Sequence, residues 1–151
     1  MSVTGGPRML LRIAGTLSLG IAVLHVGIAI AGGPAYRWFG AGLELATLAE
    51  RGSPWPPLIT LTLAALFAVW GLYPWSATGA GPRMPWLRAG LVIITTVYLL
   101  RGFPLVRPLL GKPVFPTTPE LRYVVFTAVA FGIGLVHLAG VVSGWRSLER
   151  V

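Results

Sequence analysis

Four stretches of this chain are nearly free of charge and each is as long as a bilayer is thick: residues 13–31, 57–75, 87–104 and 121–143. At about 1.5 Å per residue, a helix of about 19 residues covers roughly 28 Å, close to the hydrocarbon thickness of a membrane. In lipid the backbone must satisfy its own hydrogen bonds, so only helices and closed barrels can cross. The runs show no sustained alternation of period two and are too few for a barrel. They predict an all-α integral membrane bundle of four transmembrane helices, one domain over residues 1–151, with both ends on the same side. Composition agrees: 11% of the residues are charged and 55% hydrophobic, with a mean hydropathy of +0.78. A soluble domain would carry about 25% charged residues.

Helix boundaries are marked by proline and by aromatic side chains. Thr118-Pro119-Glu120 supplies an N-cap, a first-turn proline and a carboxylate ahead of the fourth span. Pro56-Pro57 and Pro85 open the second and third spans, and Pro74 and Pro104 are expected to end them. Tyr36, Trp38, Trp55, Tyr73, Trp75, Trp86, Tyr123 and Trp145 fall near the predicted boundaries, as an interfacial belt would. Arg8 and Arg12 followed by an apolar run ending Ala29-Ile30-Ala31 resemble a cleavable signal, but the run exceeds a signal's hydrophobic core, so the first span is expected to stay.

The connecting segments differ. Between the first two spans, residues 41–50 place Leu43, Leu45 and Leu48 opposite Glu44, Thr47 and Arg51, the pattern of a short interfacial helix. Residues 107–119 are proline-rich and expected to be extended across the surface. Residues 76–85 form a shorter, glycine-rich link. The elaborated face is thus the one opposite the termini, where function is expected.

Eleven of the twelve basic residues are arginine, which with abundant Ala and Gly points to a GC-rich bacterial gene and hence to a bacterial cytoplasmic (inner) membrane. Arg8, Arg12, Arg83, Arg88, Arg146 and Arg150 lie on the side of the termini; Arg37, Arg51, Arg101, Arg107, Lys112 and Arg122 lie on the other. Counting Arg101 as part of its span tips the balance toward cytoplasmic termini. The net charge of +8 sits at the ends of the apolar runs, where it meets lipid headgroups rather than nucleic acid. The expected partners are membrane lipids, with further copies of the chain or a larger membrane complex.

Small and polar residues identify the inward faces, because helices in lipid associate through close packing and polar contacts. The stripes are Ser18, Ala22, His25, Ala29 and Gly32; Thr60, Ala64, Ala68 and Gly71; Thr95, Tyr98 and Arg101 with Gly102; and Ala128, Gly132, Gly140 and Gly144. Counted by helical rise from the elaborated face, His25 and Tyr98 lie about 9 Å deep and Thr60 and Arg101 about 5 Å. With Tyr36, Arg37 and Glu44 in the loop above, they form the candidate ligand-binding set. His137 falls roughly 24 Å deep on this scale, away from the set, as a fastener between helices.

No cysteine is present and no His and carboxylate cluster has metal spacing, so neither a metal nor a cofactor is expected. Phosphate loops, GxSxG and HExxH are missing as well. In size and number of spans the chain resembles DoxX-type bacterial membrane proteins, a likeness of layout that carries over no functional residue. The sequence favours a binding or accessory component holding a lipid, a quinone-like molecule or a partner subunit. Its rivals are a lipid-modifying enzyme using His25 and Glu44 as acid and base, and an oligomeric transporter or channel.

Overall fold

The computed structural model describes residues 5–113 and 120–148. It is all-helical, with no strand among the described residues. Six α-helices follow in order: α1 (Gly6–Ala31), α2 (Gly33–Phe39), α3 (Leu43–Glu50), α4 (Trp55–Ala77), α5 (Leu87–Gly102) and α6 (Leu121–Leu148). A 3₁₀ helix (Phe103–Leu110) continues α5. Four of these paths, with α5 and the 3₁₀ helix taken as one, are long and apolar enough to cross a membrane. The chain is a membrane protein of the expected class, and α3 stands where the interfacial helix was predicted.

Three local features depart from the sequence reading. α2 was not anticipated: Pro34 enters its first turn, and Gly40, at φ 75°, closes it with its N–H on the Tyr36 carbonyl. Pro74 does not end α4, which runs a further turn to Ala77. A proline there donates no amide to the preceding turn, but its ring is buried, and packing outweighs one missing hydrogen bond. Pro104 likewise sits in the first turn of the 3₁₀ helix, where no intrahelical amide is needed, so the winding continues to Leu110. Residues 107–110 are therefore helical rather than extended. The predicted cap at Thr118-Pro119 lies outside the described residues.

Contacts divide the chain into two compact units, Met1–Leu17 with Trp70–Val151, and Ser18–Val69. In the larger unit, Leu11 of α1, Ala77 of α4, Leu87 and Leu91 of α5, and Val141 and Leu148 of α6 form one buried cluster. Glycines bring its helices together. A Cβ at Gly102 would collide with the backbone and side chain of Phe131, and one at Gly134 would come within 3.0 Å of the Leu99 backbone. A Cβ at Gly15 would meet the Gly71 carbonyl at 2.7 Å. In the smaller unit, Ile28, Tyr36 and Ala46 are buried together, with Ala35, Phe39 and Ala49 against them.

Small residues make up part of the inward faces. Ala14, Ala22, Ala64, Ala77 and Gly140 are buried alongside Leu11, Leu91 and Ile94, whereas Val23, Ile30, Ile93 and Val142 face out. Apolar burial gives no preference for a neighbouring helix over an acyl chain, so close approach of small residues decides which face turns inward. α3 follows the same rule: Ala46 is buried while Leu43 is 70% exposed, opposite to the division drawn from its leucines.

Candidate functional site

The candidate set divides between the two units, and each part has its own surroundings. In the smaller unit, Nδ1 of His25 bonds the Ile21 carbonyl of its own helix at 2.8 Å, and the ring lies 4.9 Å from that of Phe67. Thr60 is buried and donates its hydroxyl to the Pro56 carbonyl at 2.8 Å. Both polar groups are satisfied within their own helices, as Thr commonly is in apolar surroundings. Tyr36 is 1% exposed, so it belongs to the core of this unit rather than to an interfacial belt.

The carboxylate that meets Arg37 is Glu50, not Glu44. Arg37 donates from Nε to Oε1 and from Nη2 to Oε2 of Glu50, both at 2.7 Å, a bidentate clamp between α2 and α3. The hydrogen bond from Arg37 holds the Glu50 carboxyl below its ordinary range, and the same bond raises the Arg37 guanidinium. Sequence reasoning missed Glu50 because it passed over α2. Without that helix, a separation of 13 residues gives no reason to pair the two. Glu44 instead lines a shallow surface depression with Leu43, Thr47, Leu48 and Arg51, all of α3 and its C-terminus; His25 is not among its walls.

In the larger unit, Arg101 is exposed while Thr95, Tyr98 and Gly102 are buried. Spacing of three residues drifts by 60° at each step on a helix of 3.6 residues per turn, so Arg101 stands 120° from Thr95, whereas Gly102 falls within 20° of it. The same geometry corrects the stripe on α6. Twelve residues separate Ala128 from Gly140, an angular offset of 120°, and Ala128 and Gly132 are exposed while Gly140 and Gly144 are buried.

Tyr98 stacks on His137, ring centroids 5.4 Å apart, and meets Trp70 edge-on at 5.9 Å. Depth counted from Pro104 puts His137 well below Tyr98. Counted instead from Leu110, at about 2.0 Å per 3₁₀ residue and 1.5 Å per α residue, Tyr98 lies roughly 22 Å in and level with His137. His137 is 0% exposed and hydrogen-bonds the backbone of Ala14 in α1. It joins α1, α5 and α6, the fastening role expected of it, though at a different partner's level.

A groove that the sequence did not indicate runs along α5 and α6 on the outer surface of the larger unit. Its walls extend from Val92 to Leu99 on one helix and from Leu138 to Trp145 on the other, and its volume is about 430 Å³. Two threonines face it, yet Thr95 donates to the Leu91 carbonyl at 2.7 Å and Thr96 to the Val92 carbonyl at 2.8 Å. The groove therefore offers apolar surface with almost no uncommitted hydroxyl donor. At its Trp145 end the guanidinium of Arg88 lies 4.0 Å from the centroid of the indole.

No group of three or more metal-ligating side chains occurs among the described residues. Comparison with known proteins finds no matching family model, no matching curated protein and no matching solved structure.

Proposed function

We propose that this chain is a membrane-embedded binding component that holds a lipid in the groove between α5 and α6. The observation that carries the reading is the groove itself: an apolar channel facing outward from a span, with its hydroxyls turned back onto their own helices. A quinone would require donors aimed at its carbonyl oxygens, and Thr95 and Thr96 spend theirs on backbone. An acyl chain requires only apolar contact. Eight residues of wall on either helix, seven rises from first to last, give a run of about 10 Å, two thirds of one leaflet's hydrocarbon depth.

The acid and base pairing of His25 with Glu44 gains no support from their surroundings, since His25 bonds its own helix and Glu44 lines a different surface. The membrane is best read as a bacterial cytoplasmic membrane with the termini inside. What supports this is the count of basic residues: with Arg101 and Arg107 inside the third span, six arginines lie on the side of the termini against Arg37, Arg51, Lys112 and Arg122 on the other.

The test is native mass spectrometry of protein extracted with its surrounding lipid, beside Thr96→Phe, which places an aromatic ring in the groove from an exposed position. The wild type is expected to retain one lipid per chain and the variant to lose it with its fold intact. A wild type that emerges free of lipid, or a variant that retains as much, overturns the reading.

A further inference from the structure

We infer that the groove selects an anionic glycerophospholipid, its phosphate held at the Arg88, Trp145 and Arg146 end and one acyl chain lying between α5 and α6. This rests on the proposed lipid-holding role and specifies its ligand. The groove is apolar along its length, so recognition of a headgroup can occur only at an end. Its Trp145 end coincides with the start of α5 and the end of α6, where Leu87, Leu91, Val141 and Leu148 are buried together with Leu11 of α1 and Ala77 of α4. Arg8 and Arg12 flank Leu11 in α1, Arg88 follows Leu87, Arg83 precedes Met84, and Arg146 lies two residues before Leu148, so these five positions share that end of the unit. Only Glu149, outside the described residues, is a carboxylate next to these positions in sequence.

Two of these arginines lie over indoles, Arg88 on Trp145 and Arg12 on Trp75 at 5.6 Å. Stacking fixes the plane of a guanidinium and directs its N–H groups sideways, the geometry that meets phosphate oxygens in a fork. An indole at this level is also the side chain that prefers the boundary between headgroup and acyl chain. Apolar channel, stacked cation and excess positive charge thus follow one another in the order in which tail, glycerol and phosphate follow in a lipid.

The experiment places the full chain in nanodiscs of equal phosphatidylglycerol and phosphatidylcholine and reads the lipid retained after gentle activation in the mass spectrometer. The expected preference for phosphatidylglycerol is about five- to tenfold. It should vanish in the Arg88→Gln/Arg146→Gln double variant while one lipid is still held, and Arg88→Lys/Arg146→Lys should keep most of it. Raising salt to about 0.5 M should compress the wild-type preference, a measurement independent of whether the glutamine variant folds. Equal retention of the two lipids by the wild type, or a preference unchanged in the double variant, overturns the headgroup assignment and leaves the groove's lipid-holding role standing. Retention of no lipid at all overturns both.

Discussion

Arg37 and Glu50 are exposed, yet their two parallel hydrogen bonds add a polar tie between α2 and α3 to the packing of Tyr36 with Ala46. The Glu50 carboxyl is lowered in the folded chain, so its contribution to stability is fully present above the ordinary value of 4.5 and is lost as pH falls through the lowered folded value. Glu50→Gln is accordingly expected to loosen α2 at pH 7, seen as faster amide hydrogen exchange across Gly33–Phe39, and to differ little from the wild type once the pH is well below 4.5. A difference that persists unchanged into acid would show that the ion pair does not hold α2. Arg101 and Gly102 give a second residue-scale contrast. Arg101→Leu removes an exposed charge and should shift stability by less than about 0.5 kcal/mol. Gly102→Val drives a branched side chain into Phe131 and should cost about 1–3 kcal/mol, read by thermal unfolding in detergent. Adjacent positions with opposite outcomes follow from a rotation of 100° about the helix axis.

At the scale of the helix, the two histidines separate. His137 reaches across to α1 and stacks on Tyr98 of α5, so His137→Ala opens a cavity and removes contacts between helices, at a cost of about 2–4 kcal/mol. His25→Ala removes a bond within α1 and a ring contact with Phe67 and should cost less than half as much. Equal losses in detergent melts would contradict this division. Trp86, the residue before α5, sits at φ 47° with 88% of its surface exposed. Trp86→Gly should relieve roughly 1 kcal/mol of backbone strain and raise the melting temperature in detergent. The spans themselves were legible from length and charge, because lipid leaves the backbone no other choice. Their ends were less legible: Pro74 and Pro104 were read as stops, but a buried ring and a 3₁₀ turn each carry the helix past them. That one misplaced end at Pro104 set the depth of Tyr98 wrong by more than 10 Å.

For the whole molecule, four long apolar runs suffice to show an all-helical membrane protein, but they do not reveal the groove between α5 and α6. The groove depends on which faces of α5 and α6 remain uncovered, and period and spacing cannot give that when nearly every position is apolar. The native chain contains no cysteine, so single substitutions report topology against a silent background. Ser147→Cys and Ala80→Cys should label from one side of the membrane and Ser53→Cys from the other, with a membrane-impermeant maleimide. Labelling of Ser147→Cys and Ser53→Cys from the same side would require a different number of crossings.

The approach of Gly102 to Phe131, repeated at Gly134 and Leu99, closes the seam between α5 and α6 beyond the Leu99 end of the groove. The two helices therefore present themselves to the bilayer as a single stiff strut. When the surrounding hydrocarbon thins or thickens, they must lean together, because neither can swivel alone without driving a ring into its neighbour's backbone.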